Sequence, residues 1–295
     1  MSSSVRSRST SGGVNPRAAG SSLGSHKKGS ADDKDKLDRL LQVLNRSSLT
    51  IEQAKEVKEV LKTANKQWLV QFLKSKGLHL LSSQLVSFHT NPDVLAGGTA
   101  IQYELLLAVK SAMNSQVGLD IMTRDTDLVS SLALNVDCFD SVICTQTLEL
   151  LAVLMVSGEG GSKTVLDALD FFKLVKRERV RFQSLVDALQ SHHSPISFKR
   201  DILFFLNTVV NTSIVLEDRL EIRADLVYAG ILPAVEKLKL LCFDELVQDV
   251  ADQYSADVAK RVDELHELES QLQVFETVSF GLATILMLTI VMNDE

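Results

Sequence analysis

Residues Thr147–Thr164 read TLELLAVLMVSGEGGSKT: an apolar run, a glycine-rich turn, then Lys163-Thr164. A strand, a glycine loop and a Lys-Thr pair opening a helix is the order of a phosphate-binding loop. The alternative is a hinge between two buried helices. A phosphate-binding loop needs Gly, four residues, then Gly-Lys-Ser/Thr, because backbone amides must close around the phosphates ahead of the lysine. With Lys163 and Thr164 as anchors, the glycines belong at 157 and 162, and both positions are serine. Similar apolar runs recur in YELLLAVKSAMN and DILFFLNTVVN, so the run reads as one of several sandwiched helices and the loop as the turn after it.

The rest of the composition points the same way. Four prolines and fourteen glycines in 295 residues leave few turn signals for a many-stranded protein, and only 5% of residues are aromatic. The formal net charge of −7 is no electrostatic match for nucleic acid. Cys138, Cys144 and Cys242 are odd in number and lack metal-site spacing, which reads as reduced, buried thiols in a cytoplasmic protein. The first apolar-rich stretch begins near Leu37, so no secretory signal is expected at the start of the chain.

Texture divides the chain into five parts. Residues 1–35 are Ser/Gly-rich at first, with Arg6, Arg8, Arg17, Lys27 and Lys28, and are expected to be a disordered basic tail. In 36–66, Leu37, Leu40, Leu41 and Leu44 follow helical spacing, and Thr50 offers an N-cap before a second helix carrying Val57, Val60 and Leu61. Within 67–241 a shape recurs in KGLHLLSSQL, VGLDIM and AGILPAVEKL, the first two about forty residues apart, which is an armadillo-type repeat length. A helix apolar nearly all round must be sandwiched by neighbours, and stacked repeats supply them. The recurrent glycine is read as a tight turn between repeats. Residues 242–276 are strongly charged, with Val258, Val262, Leu265 and Leu272 near heptad positions and Glu269 spoiling one, a helix able to pair with a second chain in a homodimer or to dock on the solenoid. Residues 277–295 hold an uncharged run, Thr277–Met292, that would span roughly 24 Å as a helix against a hydrocarbon core of ~30 Å. It reads as a buried terminal helix, with attachment at the membrane periphery as the alternative.

Catalytic constellations are not apparent. His192 and His193 sit in the polar break QSHHSPIS without carboxylate or cysteine at ligand spacing. KRERVR at 176–181 is a short basic run of the kind found on solvated helix edges. DTDLVSS lacks the remaining ligands of a calcium loop. No enzyme, metal site or cofactor is expected.

The segments LVQFLKSKGLHLL, AVKSAMNSQVGLDIM, TQTLELLAVLMVSGEGGSKTVLDALDFFK, RERVRFQSLVDAL and ILFFLNTVV…RLEIRADLVYAGILPAVEKL, between Trp68 and Leu241, resemble the armadillo-repeat regulatory region of diaphanous-type formins in order, spacing and length. The most specific signature is RF-x-x-LV after a VL-x-A-x-x-x-F helix. The resemblance implies an all-α, armadillo-like solenoid with a helical C-terminal extension, and a cytoplasmic, cytoskeleton-associated regulatory module. In that family a GTPase-binding segment and the armadillo domain receive a Rho-family GTPase in its GTP form. The concave armadillo face holds the formin's own amphipathic autoregulatory helix, so actin is touched only indirectly.

Carried over by position, the groove is lined by Lys110 and Asn114, then Val153, Val156 and Ser157, then Phe204 and Asn207. The asparagine amides suit a bound backbone. Val153 stands where the family has a small residue, Phe204 replaces a polar residue and Ser157 an apolar one; the competing reading makes Val153 and Phe204 core residues. GTPase contacts fall on the helices at 37–63 and on Ala64 and Asn65, where the family motif is poorly matched. The second functional reading is a generic armadillo peptide-binding scaffold, attached to a membrane by its apolar end.

Overall fold

In helix α8 (Ser141–Val156), Ile143, Cys144, Gln146, Thr147, Leu148, Leu150, Leu151, Ala152, Leu154 and Met155 are all buried. Val142, Glu149, Val153 and Val156 are the positions of that helix most open to solvent. Such a helix needs protein on most of its circumference, and the surrounding architecture provides it.

The computed structural model describes residues 25–293 apart from 91–94, 138, 159, 214 and 250–255. Among the described residues the remaining helices are α1 (Ser25–Leu44), α2 (Ile51–Thr63), α3 (Lys66–Lys74), α4 (Gly77–Thr90), α5 (Leu95–Met113), α6 (Gln116–Arg124), α7 (Thr126–Ala133), α9 (Gly161–Lys176), α10 (Gln183–Gln190), α11 (Ile196–Thr212), α12 (Leu216–Ala229), α13 (Ile231–Asp249) and α14 (Ala256–Asn293). A 3-10 turn covers Leu134–Val136, and no strand occurs among the described residues.

Packing repeats with a period of three helices. The chain stacks α2 on α5, α5 on α8, α8 on α11 and α11 on α14; α4 packs on α7 and α10 on α13. That period defines an armadillo-like solenoid, each repeat burying its faces against the next. One continuous core follows, from Leu37 and Leu40 in α1, through Phe72, Leu106, Leu151 and Phe205, to Leu268 and Phe275 in α14.

Local chemistry sets the helix ends. Thr50 caps α2: its hydroxyl accepts from the Gln53 amide at 3.3 Å, while the Gln53 side chain accepts from the Thr50 amide at 3.0 Å. Asp125 and Asp140 cap α7 and α8 through their carboxylates. The Asp125 carboxylate of the supposed calcium-like run is therefore a capping group.

The recurrent glycine departs from its expected role. Of the three recurrent glycines, Gly77, Gly118 and Gly230, Gly230 alone has a positive φ, +92°, ending α12. Gly118 sits inside the first turn of α6, where a Cβ would lie 2.1 Å from the Ala112 carbonyl. Gly161 opens α9, and a Cβ there would stand 1.9 Å from the Leu154 carbonyl of α8. At these two turns, close helix-to-helix approach selects glycine, not backbone freedom.

In the run at 176–181, Lys176, Arg177 and Arg179 are exposed as on a solvated edge, but Arg181 is not. α9 ends at Lys176, Arg177 turns left-handed at φ 57°, and Arg181 is buried. Its Nε donates to Asp225 Oδ2 and its Nη2 to Glu221 Oε1, both at 2.6 Å, with Asp170 Oδ2 3.6 Å from Nη1. This guanidinium pins α12 to the end of α9.

Three expected boundaries shift. Residues 1–24 of the tail lie outside the described residues, while 25–35 belong to α1. The boundary at 241 falls within α13, and residues 256–293 form one helix across the boundary at 276. Of the two readings of residues 242–276, a seam for another chain or a helix docked on the solenoid, Leu265 and Leu272 follow the second: they are buried within this chain, because α14 packs on α11 and α13.

Gly161→Ala is expected to destabilise the chain by about 1–3 kcal/mol, the usual cost of forcing a group into a filled space. Gly160→Ala, whose Cβ would meet the Thr123 carbonyl at an ordinary 3.6 Å, serves as the near-neutral control. Urea unfolding of the two variants measures the difference.

Candidate partner-binding face

Every third helix of the solenoid presents one uncovered stripe. On α5 it carries Tyr103, Leu107 and Lys110, with Asn114 just beyond the helix; on α8, Thr145, Glu149, Val153 and Val156; on α11, Asp201, Phe204, Thr208 and Thr212. All are spaced at three or four residues, so each set follows one side of its helix. Because α5, α8 and α11 pack consecutively, the stripes lie on neighbouring rungs.

Polar bridges tie rung to rung. Lys58 of α2 meets Glu104 of α5 at 2.8 Å, and that hydrogen bond raises the lysine's pKa. Lys110 of α5 meets Glu149 of α8 at 2.8 Å. The Thr145 hydroxyl of α8 donates to Asp201 of α11 at 3.1 Å. Arg200 of α11 pairs with Glu267 of α14, and Asn207 Nδ2 donates to the backbone and side-chain oxygens of Gln271, at 3.1 and 2.9 Å.

The residues read from sequence separate into two groups on this frame. Val153, Val156 and Phe204 are 45%, 65% and 52% exposed, so the reading that makes Val153 and Phe204 core residues fails. Three apolar side chains open to solvent on adjacent rungs are what a docked amphipathic helix would cover. Lys110 and Asn114 are exposed, but the Lys110 ammonium already holds Glu149. The Ser157 hydroxyl turns back to the Val153 carbonyl and closes the end of α8. Asn207 is different: it is 5% exposed and committed to Gln271, so α14 occupies the place expected for a ligand there. Glu149, Thr208 and Tyr103 belong to the same stripes; extending the helical spacing from Val153, Phe204 and Lys110 finds each of them.

At the N-terminal end, Asn65 caps α3, its Oδ1 accepting from the Trp68 amide at 2.8 Å, and Ala64 is half-buried beside it. Trp68 stacks on Phe72 and donates its indole N–H to the Asp33 carbonyl at 2.9 Å, joining α3 to α1. A cleft of about 370 Å³ lies between α1 and α2, lined in part by Asp32, Lys36, Arg39 and Glu56.

The other motifs have structural uses. Lys163 pairs with Asp167 at 3.0 Å, and the Thr164 hydroxyl donates to the Thr123 carbonyl at 2.9 Å, so both would-be phosphate ligands serve the fold. His192 and His193 are exposed in the turn between α10 and α11. Cys144 and Cys242 are buried, and Cys138 lies outside the described residues.

Comparison with known proteins gives two consecutive family matches: the diaphanous GTPase-binding domain over residues 9–156 and the diaphanous FH3 domain over 162–281. They meet at the turn between α8 and α9. Similar proteins include human Disheveled-associated activator of morphogenesis 2, 28% identical over 241 residues, which are 76% of this chain and 22% of that protein. Inverted formin-2 of Xenopus laevis is 26% identical over 212 residues, 71% of this chain and 18% of that protein. The chain therefore spans about a fifth of the length of these relatives.

Val156→Ser is expected to change the free energy of unfolding by no more than about 0.5 kcal/mol, as at other open surface sites. Asn207→Ala should cost about 1–3 kcal/mol, because Gln271 loses its buried partner. Chemical denaturation distinguishes the face residue from the packing residue.

Proposed function

The chain belongs to the diaphanous-type formin family, and on that premise we propose that it is a regulatory binding module controlling formin-driven actin assembly. The observation that carries this reading is the succession of GTPase-binding and FH3 matches across one continuous helical solenoid. Its first ligand is a Rho-family GTPase in the GTP form, received by the N-terminal helices around Ala64 and Asn65. Its second is an amphipathic autoregulatory helix of a formin, laid across α5, α8 and α11 on Lys110, Asn114, Val153, Val156, Ser157 and Phe204. An amphipathic helix in an apolar groove needs a few exposed anchors on adjacent elements, and Val153, Val156 and Phe204 offer them. Mutually exclusive occupation makes each ligand disfavour the other, which is a regulatory coupling without catalysis. Actin is reached only through the formin whose helix is released.

Membrane attachment through residues 277–292 has less support. They continue α14, and among the described residues no helix is long and apolar enough to cross a membrane.

Pull-down with a Rho-family GTPase loaded with GTP or GDP tests the first ligand; capture of the GTP form alone is expected, and equal or absent capture of both forms sinks it. For the second ligand, a formin autoregulatory-helix peptide should bind, and Val156→Asp or Phe204→Asp should weaken it by about tenfold or more, as for a central apolar anchor. Fluorescence anisotropy reads that change, and unaltered affinity in both variants places the helix elsewhere.

A further inference from the structure

Helix α12 carries its charges on two edges that meet opposite fates. Glu221 and Asp225 are both drawn to the buried Arg181. On the other side, Leu216, Arg219, Leu220, Arg223 and Val227 follow one another at i, i+3, i+4, i+7 and i+11, a single helical face. The two arginines stand one turn apart, with like charges and no carboxylate among the described residues pairing with either. Arg223 Nη2 donates to the Val278 carbonyl of α14 at 3.0 Å. Its Nε and Nη1, and the Nε of Arg219, are buried without an acceptor among the described residues. Burial first, and the neighbouring Arg219 second, lower the pKa of Arg223, the direction expected of a cation whose charge is not compensated.

The apolar members of the same face are open. Leu216, Leu220 and Val227 are 40%, 43% and 49% exposed. Guanidiniums drawn out of water normally find carboxylates, as Arg181 does twice on this very helix. An alternation of uncovered leucines and uncompensated arginines at helical spacing is the complement of a second helix with apolar and acidic positions in the same rhythm. A free inorganic anion would answer the charges but leave Leu216, Leu220 and Val227 in water.

We propose that this face of α12 docks an acidic amphipathic segment of a partner protein. Two of its carboxylates, one helical turn apart, lie over Arg219 and Arg223 and offset their charge, and its apolar residues cover Leu216, Leu220 and Val227. α12 is not a rung of the α5–α8–α11 stack, so this site is independent of the helix-binding face proposed above and is measured separately from it.

The test uses the full chain and two synthetic helical peptides of equal apolar pattern, one with glutamates one turn apart and one with lysines in their place. Fluorescence anisotropy should show the glutamate peptide binding about tenfold or more tightly than the lysine peptide, and the double variant Arg219→Glu/Arg223→Glu should reverse that preference. Equal affinity for the two peptides, or a preference unchanged in the variant, overturns the proposal. Binding to phosphatidylserine vesicles in place of the glutamate peptide overturns the assignment to a protein partner. A thermal melt of Arg219→Gln/Arg223→Gln supplies the structural control. The midpoint should hold or rise once the uncompensated charges are gone, whereas a fall of several degrees assigns the arginines to the fold and contradicts a docking role.

Discussion

The structure depends on the requirement that α8 be covered on nearly all sides. A helix with Leu148, Leu150, Leu151, Leu154 and Met155 pointing in several directions cannot sit on the surface of a two-layer protein. It is stable only as a rung, with α5 on one side, α11 on the other and α7 and α9 beneath. The same demand passes to each neighbour, and the chain answers it by repeating three helices until α14 covers α11. The face left over is therefore a by-product of stacking: one stripe per rung, with Val153, Val156 and Phe204 left open.

Helices and their order could be read from sequence because they rest on local signals. Apolar spacing marked Leu37, Leu40 and Leu44, and Thr50 announced the start of α2 through a cap that forms within four residues. The glycine loop after α8 could be rejected as a phosphate site on two serines alone. What escaped were properties decided by distant residues. Arg181 looked like part of a solvated basic run, but its carboxylates lie 40 and 44 positions away. Asn207 shared the chemistry of a ligand-binding amide, but α14, 64 positions on, claims it. Leu265 and Leu272 had the spacing of a seam between chains, and spacing does not say whether the facing helix is one's own. The exposure of Val153 and Phe204 was equally illegible, since an apolar residue on an apolar helix carries no mark of which side faces water.

The rung-to-rung bridges connect this architecture to the proposed function. Lys110–Glu149, Thr145–Asp201 and Arg200–Glu267 each span a repeat boundary at the edge of the open stripes. Half-exposed pairs of this kind contribute little to stability, about 0–1 kcal/mol each. Their larger effect is to hold register between stripes, so that anchors on two rungs keep the spacing a docked helix needs. A rigid face of this kind favours a preformed helix over an adaptable peptide, because less ordering remains to be done on binding.

Competition between the two ligands is the heart of the proposed function, and a calorimetric titration of the autoregulatory-helix peptide into the full chain addresses it directly. Prior saturation with a GTP-loaded Rho-family GTPase should weaken the peptide by about five-fold or more, the usual lower range of coupling between sites, while the GDP-loaded form should leave it unchanged. Identical peptide affinity with and without the GTP-loaded protein, when that protein is shown to be bound, would contradict a regulatory exchange of ligands on this solenoid.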